Sequence, residues 1–296
     1  IYANMGEMDN KGVDANLEYQ TRIGNKVGLR LFGNLTYSKN KIVFRDEPAM
    51  QYAYQKSEGT RYGEFYGYIA EGYFQSEEEI KKSPRQMREL APGDIKYKDL
   101  NDDGVIDAND QCYLGKSWFP SWSYGMGFNI NYHNFDLALF FQGVSDVSIM
   151  ANGGSIDTGN GDWGASGVGI VPFTGMGLNP SNVITKALDR WTADNPRADA
   201  WYPRMTANAT TNDNNYVNST HWLKDGSYLR LKQASLGYTL ENKKLMDKGI
   251  EYLYFYLSGQ NLLTFSKFKL WDPELGSNGA KYPLSRMVTL GMRVSF

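Results

Sequence analysis

Cysteine is all but absent from this chain. Cys112 stands alone, which rules out an internal disulfide framework and any cysteine-built zinc cluster. A lone thiol carries no compartment signal and reads as incidental. Histidine is scarce too: His133 and His221 are too few and too far apart in sequence to suggest a catalytic site. No glycine-rich phosphate loop follows a strand, so the sequence gives an enzyme no support. Neither sign of charge dominates, because 31 Lys and Arg face 33 Asp and Glu, for a net charge of −2 and a pI near 5.8. The cations are scattered rather than clustered, so no basic field invites nucleic acid. No run of about 18 apolar residues occurs, which excludes a transmembrane helix. The mean hydropathy of −0.52 leaves a transmembrane barrel open, since a lipid-facing strand needs apolar residues only at alternate positions. Ile1 opens straight into polar sequence with no secretory leader. The chain is therefore expected to be mature or a piece of something longer.

What is present is aromatic and alternating. Aromatics make up 14% of residues, with 21 Tyr and 7 Trp, a balance suited to β structure with interfacial rings. In "SWSYGMGFNINYHNFDLALFFQG" (121–143), Trp122, Tyr124, Met126, Phe128, Ile130 and Tyr132 share one face, while Ser, Gly and Asn fill the other. After a turn at His133 and Asn134, Phe135, Leu137, Leu139 and Phe141 resume the pattern, which predicts a hairpin. Val13 to Arg22 and Val27 to Ser38 predict another across Gly24 and Asn25. A third is expected from Tyr228–Tyr238 and Tyr252–Leu262, with a phase change between Leu231 and Ala234 that signals a bulge or a misread register. The last strand places Val288, Leu290, Met292, Val294 and the terminal Phe296 together. Strands of ten residues or more exceed globular custom but suit a tilted bilayer crossing. A soluble sandwich would turn the same faces toward a core. Strand length, and formal charge on the opposite faces, favour the barrel.

Connections alternate in length as a barrel's do, with short turns near Gly24, His133 and Lys243–Gly249 and long segments near 40–64, 75–120, 144–226 and 264–284. About eight to ten strands are expected. Gly72 to Ser83 predicts a solvated helix, and Val183–Trp191, after the cap candidate Ser181, a short helical piece. "DLNDDGVIDAND" offers Asp99, Asn101, Asp103, Asp107 and Asp110 with Gly104 at the turn, the spacing of an EF-hand-type loop for calcium or magnesium. An acidic turn with side-chain caps and no ion is the plain alternative. Trp163, Trp201, Tyr202, Trp222, Trp271 and Asp272, with Trp191 and Tyr216, lie in the long segments, where rings serve either to stack on sugars and peptides or to pack the loops together.

These residues resemble a known family. "GDIKYKDLNDDGVIDANDQCYLGKSWFPSWSYGMGFNINYHNFDLALFFQGV" (Gly93 to Val144) is similar to a segment of SusC-like TonB-dependent outer-membrane transporters, in which an acidic loop leads into a strand pair ending F-D-L-x-x-x-F-Q-G. "NMGEMDNKGVDANLEYQ", "GSYLRLKQASLGYTL" and "LYFYLSGQNLLTFSKFKLWDPEL" resemble the family's strand entry and final strands, so the likeness covers essentially the whole chain.

The resemblance implies an all-β fold: the C-terminal portion, residues 1–296, of a 22-stranded antiparallel barrel with long extracellular loops, its plug and TonB box outside this chain. It implies TonB-dependent import of an oligosaccharide or peptide across the bacterial outer membrane, with a SusD-like surface lipoprotein as lid, the TonB complex as energy source and outer-membrane lipid around the wall. A homologue serving as a structural subunit of a larger outer-membrane assembly, and a calcium-binding adhesin or lectin, are the rival readings.

Overall fold

The computed structural model describes residues 6–24, 26–87, 89–152, 185–205, 213–277, 279 and 282–296. Thirteen strands are seen among them, in chain order β1 (Gly6–Ile23), β2 (Val27–Arg45), β3 (Glu64–Gly67), β4 (Ala70–Tyr73), β5 (Ile95–Tyr97), β6 (Cys112–Ser117), β7 (Trp122–Tyr132), β8 (Phe135–Ser145), β9 (Ser148–Met150), β10 (Leu223–Asp225), β11 (Tyr228–Leu240), β12 (Tyr252–Ser266) and β13 (Met287–Ser295). Seven of these build one antiparallel sheet in the order β1-β2-β7-β8-β11-β12-β13. The other six form three short pairs, β3 with β6, β4 with β5 and β9 with β10.

Alternation becomes two faces. Register pairs Leu31 with Phe128, Phe128 with Leu139, Leu139 with Ala234, and Leu236 with Leu257, which in turn sits opposite Leu290. These partners carry one apolar band across the sheet, and nothing covers it: Leu17 is 75% exposed and Leu290 81%. The other face takes Glu18, Arg30, Asn34, Asn129, Gln142, Gln233, Ser258 and Arg293. On it, Arg30 and Glu18 form a fork of two hydrogen bonds, Nε to Oε1 at 2.7 Å and Nη2 to Oε2 at 3.0 Å. Phe32 and Phe140 stack there with ring centroids 6.0 Å apart. Gly127 makes that possible, since a Cβ on it would stand 2.6 Å from the Phe32 ring.

The phase change in β11 is a real bulge. Leu231 pairs with Phe141 and Gln233 with Phe140, so Lys232 is one residue too many for β8. Odd-numbered residues face the apolar side before Lys232 and even-numbered ones after it. Opposite, β12 spends two residues where β11 spends one, and Asn261 takes a positive φ of 53° to do so.

The sheet has seven strands where eight to ten were expected. The difference lies between Glu64 and Tyr73, whose apolar residues form β3 and β4 outside the sheet and bury Phe65, Tyr68 and Tyr73 among the loops. Of the helix expected over 72–83, only Glu77–Lys82 forms one, α1, capped by Ser76 Oγ accepting from the Glu79 amide, while Gly72 and Tyr73 belong to β4. The helical piece expected at 183–191 appears as a 3-10 turn at Thr185–Leu188; its first two residues, and the cap candidate Ser181, lie outside the described residues.

Two kinds of connection leave opposite ends of the sheet. One end carries the tight turns, including Gly24 with a φ of +58° and His133 with +52°. At the other end, the described parts of segments 46–121, 146–227 and 267–286 gather into one cap, and the buried core among the described residues sits there rather than in the sheet.

Candidate functional site

All three long connections contribute to the cap core. The first supplies Phe65, Tyr68, Tyr73, Ile95, Tyr97 and Ile106; the second Ile149, Met150, Trp191, Tyr202 and Trp222; the third Phe268. Trp222 holds the centre, with Tyr216 stacked on it at 5.5 Å and Trp201 and Tyr202 edge-on at 5.5 and 5.8 Å. Its indole N–H donates to the Asn215 carbonyl at 2.7 Å, which satisfies the one polar atom such burial strands.

A polar network welds the first connection to the second. Asp94, almost wholly buried, accepts from Arg204 Nε at 2.9 Å and Nη2 at 2.8 Å, from Asn215 Nδ2 at 2.8 Å and from the Ala91 amide at 2.8 Å. Gln86 donates to Asn214 Oδ1 at 2.8 Å and to the Ile95 carbonyl at 2.9 Å, and accepts from the Tyr97 amide at 2.7 Å. Asn214 and Asn215 belong to α2 (Asp213–Tyr216). A fully partnered buried network fixes one arrangement and resists any other. Burial pushes the Tyr97 and Tyr202 hydroxyls well above the ordinary tyrosine range. His221 is driven down to about 3, by burial first and then by the Lys224 ammonium.

The structure brings most of the sequence-predicted site residues into this cap. Trp163 lies outside the described residues. Tyr202 and Trp222 are 0% exposed, so their ring faces meet protein and they act as core. Trp201 keeps part of its surface. Trp271 is half-buried, donates to the Gly276 carbonyl at 2.8 Å and meets Phe268 edge-on at 4.6 Å. Asp272 accepts from Arg230 Nη2 at 2.5 Å and from the Glu274 amide at 3.0 Å. The bland reading, rings packing loops together, thus accounts for Trp191, Tyr202, Tyr216 and Trp222.

In the acidic loop the side chains serve the backbone. Asp99 Oδ2 accepts from the Gly104 amide at 2.8 Å, Asn101 Oδ1 from Asp103 at 3.1 Å, Asp103 Oδ1 from Val105 at 2.8 Å and Asp107 Oδ1 from Asn109 at 2.7 Å. Asp110, 0% exposed, accepts from the Leu100 and Asp107 amides, both at 2.8 Å. Asp99 Oδ1 alone is buried without a partner. Among the described residues no group of three or more carboxylates, histidines or cysteines converges as an ion would need. The loop as folded is a self-capped turn, and it does not present the cage that its spacing suggested.

Sequence reading missed Arg230. Its side chain is 1% exposed on the polar face of β11, bound to Asp272 and 3.1 Å from Glu274 Oε2, with its guanidinium over Tyr228 at 5.3 Å. Its Nε and Nη1 make no hydrogen bond. The available signal was a charged residue inside a strand two positions before the phase break; its carboxylate partners lie some forty residues away and leave no trace in local pattern. His221, dismissed as isolated, packs against two core residues, 3.4 Å from the Tyr73 hydroxyl and edge-on to Trp222 at 4.7 Å.

No protein-family model matches the chain. Among curated proteins it is similar to TonB-dependent receptor P3 of Formosa agariphila, 26% identical over 99% of this chain and 29% of that protein. TonB-dependent receptor P26 of the same organism is 28% identical over 99% of the chain and 30% of its own length. The chain thus spans about three-tenths of the curated relatives it matches. Among solved structures, the RagAB peptide transporter shares its fold, with a TM-score of 0.67 at 22% identity over 100% of this chain and 30% of that one. The closed-closed state of the RagAB peptide importer gives 0.67 at 23%. The names are those of receptors and transporters, not enzymes. The chain is thus similar in sequence along nearly its full length to proteins named TonB-dependent receptors, and it shares the fold of the corresponding part of the RagAB transporter.

Proposed function

We propose that the chain forms part of the barrel wall and extracellular cap of an outer-membrane importer, powered through TonB, for an oligomeric nutrient. One observation carries the reading. The sheet leaves a continuous apolar band uncovered on one side and a hydrogen-bonding surface on the other, while the protein's buried core sits in the loops at one end. Hydrocarbon outside and a hydrated lumen inside reward that arrangement; water on both sides does not.

The strands missing from the two free edges, β1 and β13, belong on this reading to the rest of a 22-stranded barrel, along with the plug and the TonB-coupling segment. The rigid cap is where substrate is met, beneath a SusD-like lipoprotein that closes over it. The neighbours described as peptide transporters favour peptide over glycan as the cargo. The exposed part of Trp201, and the Trp271–Asp272 turn, are the parts of the cap offered to it.

The test uses the full-length receptor co-expressed with its neighbouring lipoprotein. Fluorescent peptide and oligosaccharide should accumulate only in cells with intact TonB. Nitroxides at Leu137 and Val294 should relax with lipid-dissolved oxygen and ignore a water-soluble nickel reagent. Uptake indifferent to TonB, or labels at those positions that respond to nickel, would overturn the reading.

A further inference from the structure

The cap carries an electrostatic imbalance. Lys224 on β10 is partly buried, yet among the described residues its ammonium has no carboxylate partner: Nζ donates to the His221 carbonyl at 2.6 Å and lies 5.2 Å from the centroid of the Trp201 ring. The Trp191 and Tyr202 main chains pair, Trp191 N to Tyr202 O at 2.9 Å and Tyr202 N to Asp189 O at 3.0 Å, which sets the 185–190 turn beside Trp201. The Lys186 ammonium on that turn, ion-paired to Asp189 at 2.7 Å, repels the Lys224 ammonium. Arg190 from the same turn donates to the Ala187 carbonyl at 3.2 Å and forms no ion pair. Asp189 on this turn is already shared by Lys186 and Arg197, and Arg197 also pairs with Asp199 at 3.4 Å. Burial, then Lys186, holds the Lys224 ammonium below the usual lysine range.

A partly buried ammonium with no carboxylate among the described residues, set against a partly exposed indole and repelled by a second lysine, is an arrangement a fold avoids unless something anionic completes it. We propose that Lys224, Lys186 and Trp201 form a subsite for a carboxylate of the imported oligomer, the ammoniums binding the anion while the indole borders the adjoining residue. The subsite rests on the import reading above and adds to it a preference for acidic cargo. A carboxylate has two sources among oligomeric nutrients, the acidic residues or C-terminus of a peptide and the uronic acids of a glycan. Both place a planar anion beside a body that can lie along an aromatic edge.

The experiment compares matched ligands on the full-length receptor with its lipoprotein in detergent, by calorimetry. One pair is a Glu-containing peptide and its Gln counterpart; the other is an oligogalacturonate and its methyl ester. In the wild type the acidic member of at least one pair should bind tighter by tenfold or more, and the pair that shows it identifies the source. Lys186→Met with Lys224→Met should abolish that preference and leave the neutral ligand's affinity within about twofold. Lys224→Arg should retain it. Lys248→Met, at the tight-turn end of the sheet, should change nothing. Equal affinity within both pairs, or a double variant that loses acidic and neutral ligands alike, overturns the subsite. TonB-dependent uptake of the neutral ligand would persist in that event and leave the import reading standing, whereas absence of uptake for every ligand would bring down the reading itself.

Discussion

Trp222 concentrates more of the cap's stability in one side chain than any other residue described. It touches Trp201, Tyr202, Tyr216 and His221, and its N–H is spoken for. Trp222→Ala should destabilise the cap by about 3–5 kcal/mol, the usual cost of emptying a buried indole site. Hydrogen exchange of the amides in 185–205 and 213–226, measured on the whole receptor, would report it while the sheet stays protected. His221 adds a pH dependence. Its folded pKa lies near 3, below the ordinary 6.5, so the unfolded chain binds a proton that the folded cap refuses. Stability is therefore complete above pH 6.5 and is lost as pH falls toward 3, by about 1.4 kcal/mol per unit. His221→Gln should flatten that slope, read as the difference between the two proteins' exchange rates at pH 7 and pH 4. A variant with an unchanged slope would show that His221 is not the group responsible. Neither role was legible in sequence. A Trp beside a His in a long connection looks the same whether it faces a substrate or a core, and burial is decided by partners from other connections.

At the scale of elements, legibility followed periodicity. The hairpins β1–β2 and β7–β8 could be read directly because each residue's face depends only on its own parity. The bulge announced itself as a broken period, yet only the register identified Lys232 as the extra residue. Deleting Lys232 would remove the bulge and leave every side chain from Gln233 to Leu240 on its present face against β8, because Leu231 and Gln233 already pair with consecutive residues there. The full-length protein should then still reach the membrane-inserted, heat-modifiable form on a gel, and failure to do so would mean that the bulge itself is required. The cap was illegible for the converse reason: its strands β3, β4, β5, β9 and β10 have only three or four residues each. Its welds span long separations, Asp94 with Arg204 and Arg230 with Asp272. In the acidic loop the spacing left a capped turn and an ion site both open, and a stability measurement distinguishes them. Asp110→Ala removes two caps from buried amides and should cost about 2–4 kcal/mol. The loss should be the same in calcium and in chelator. A loss confined to calcium-containing buffer would mean that an ion assembles the loop after all.

Across the whole molecule, two environments are written into one chain. The cap is built like a water-soluble protein, with a sealed aromatic core and a buried hydrogen-bonded network around Asp94 and Gln86. The sheet inverts that rule and turns its largest apolar side chains outward. The division was visible in the sequence, since long alternating runs are interrupted by segments of no period, though it did not reveal that those segments share a core. The consequence is an asymmetry that no soluble sheet would show. Leu137 and Ala138 are neighbours on β8, in the middle of paired strands, and point to opposite faces, Leu137 between Ile130 and Leu236 and Ala138 between Asn129 and Ser235. An arginine at Leu137 would lie in hydrocarbon and should cost about 2–4 kcal/mol, in keeping with charges at the middle of a barrel's lipid face. Asn129→Arg, across on the polar face, would place the same group in the hydrated interior at a cost below about 1 kcal/mol. Folding of the full-length receptor into vesicles, titrated with denaturant, separates the two. Equal penalties would mean that both faces see the same solvent. A larger penalty for Asn129→Arg would mean that the core lies on the polar side, and the assignment of lipid and lumen would have to be reversed.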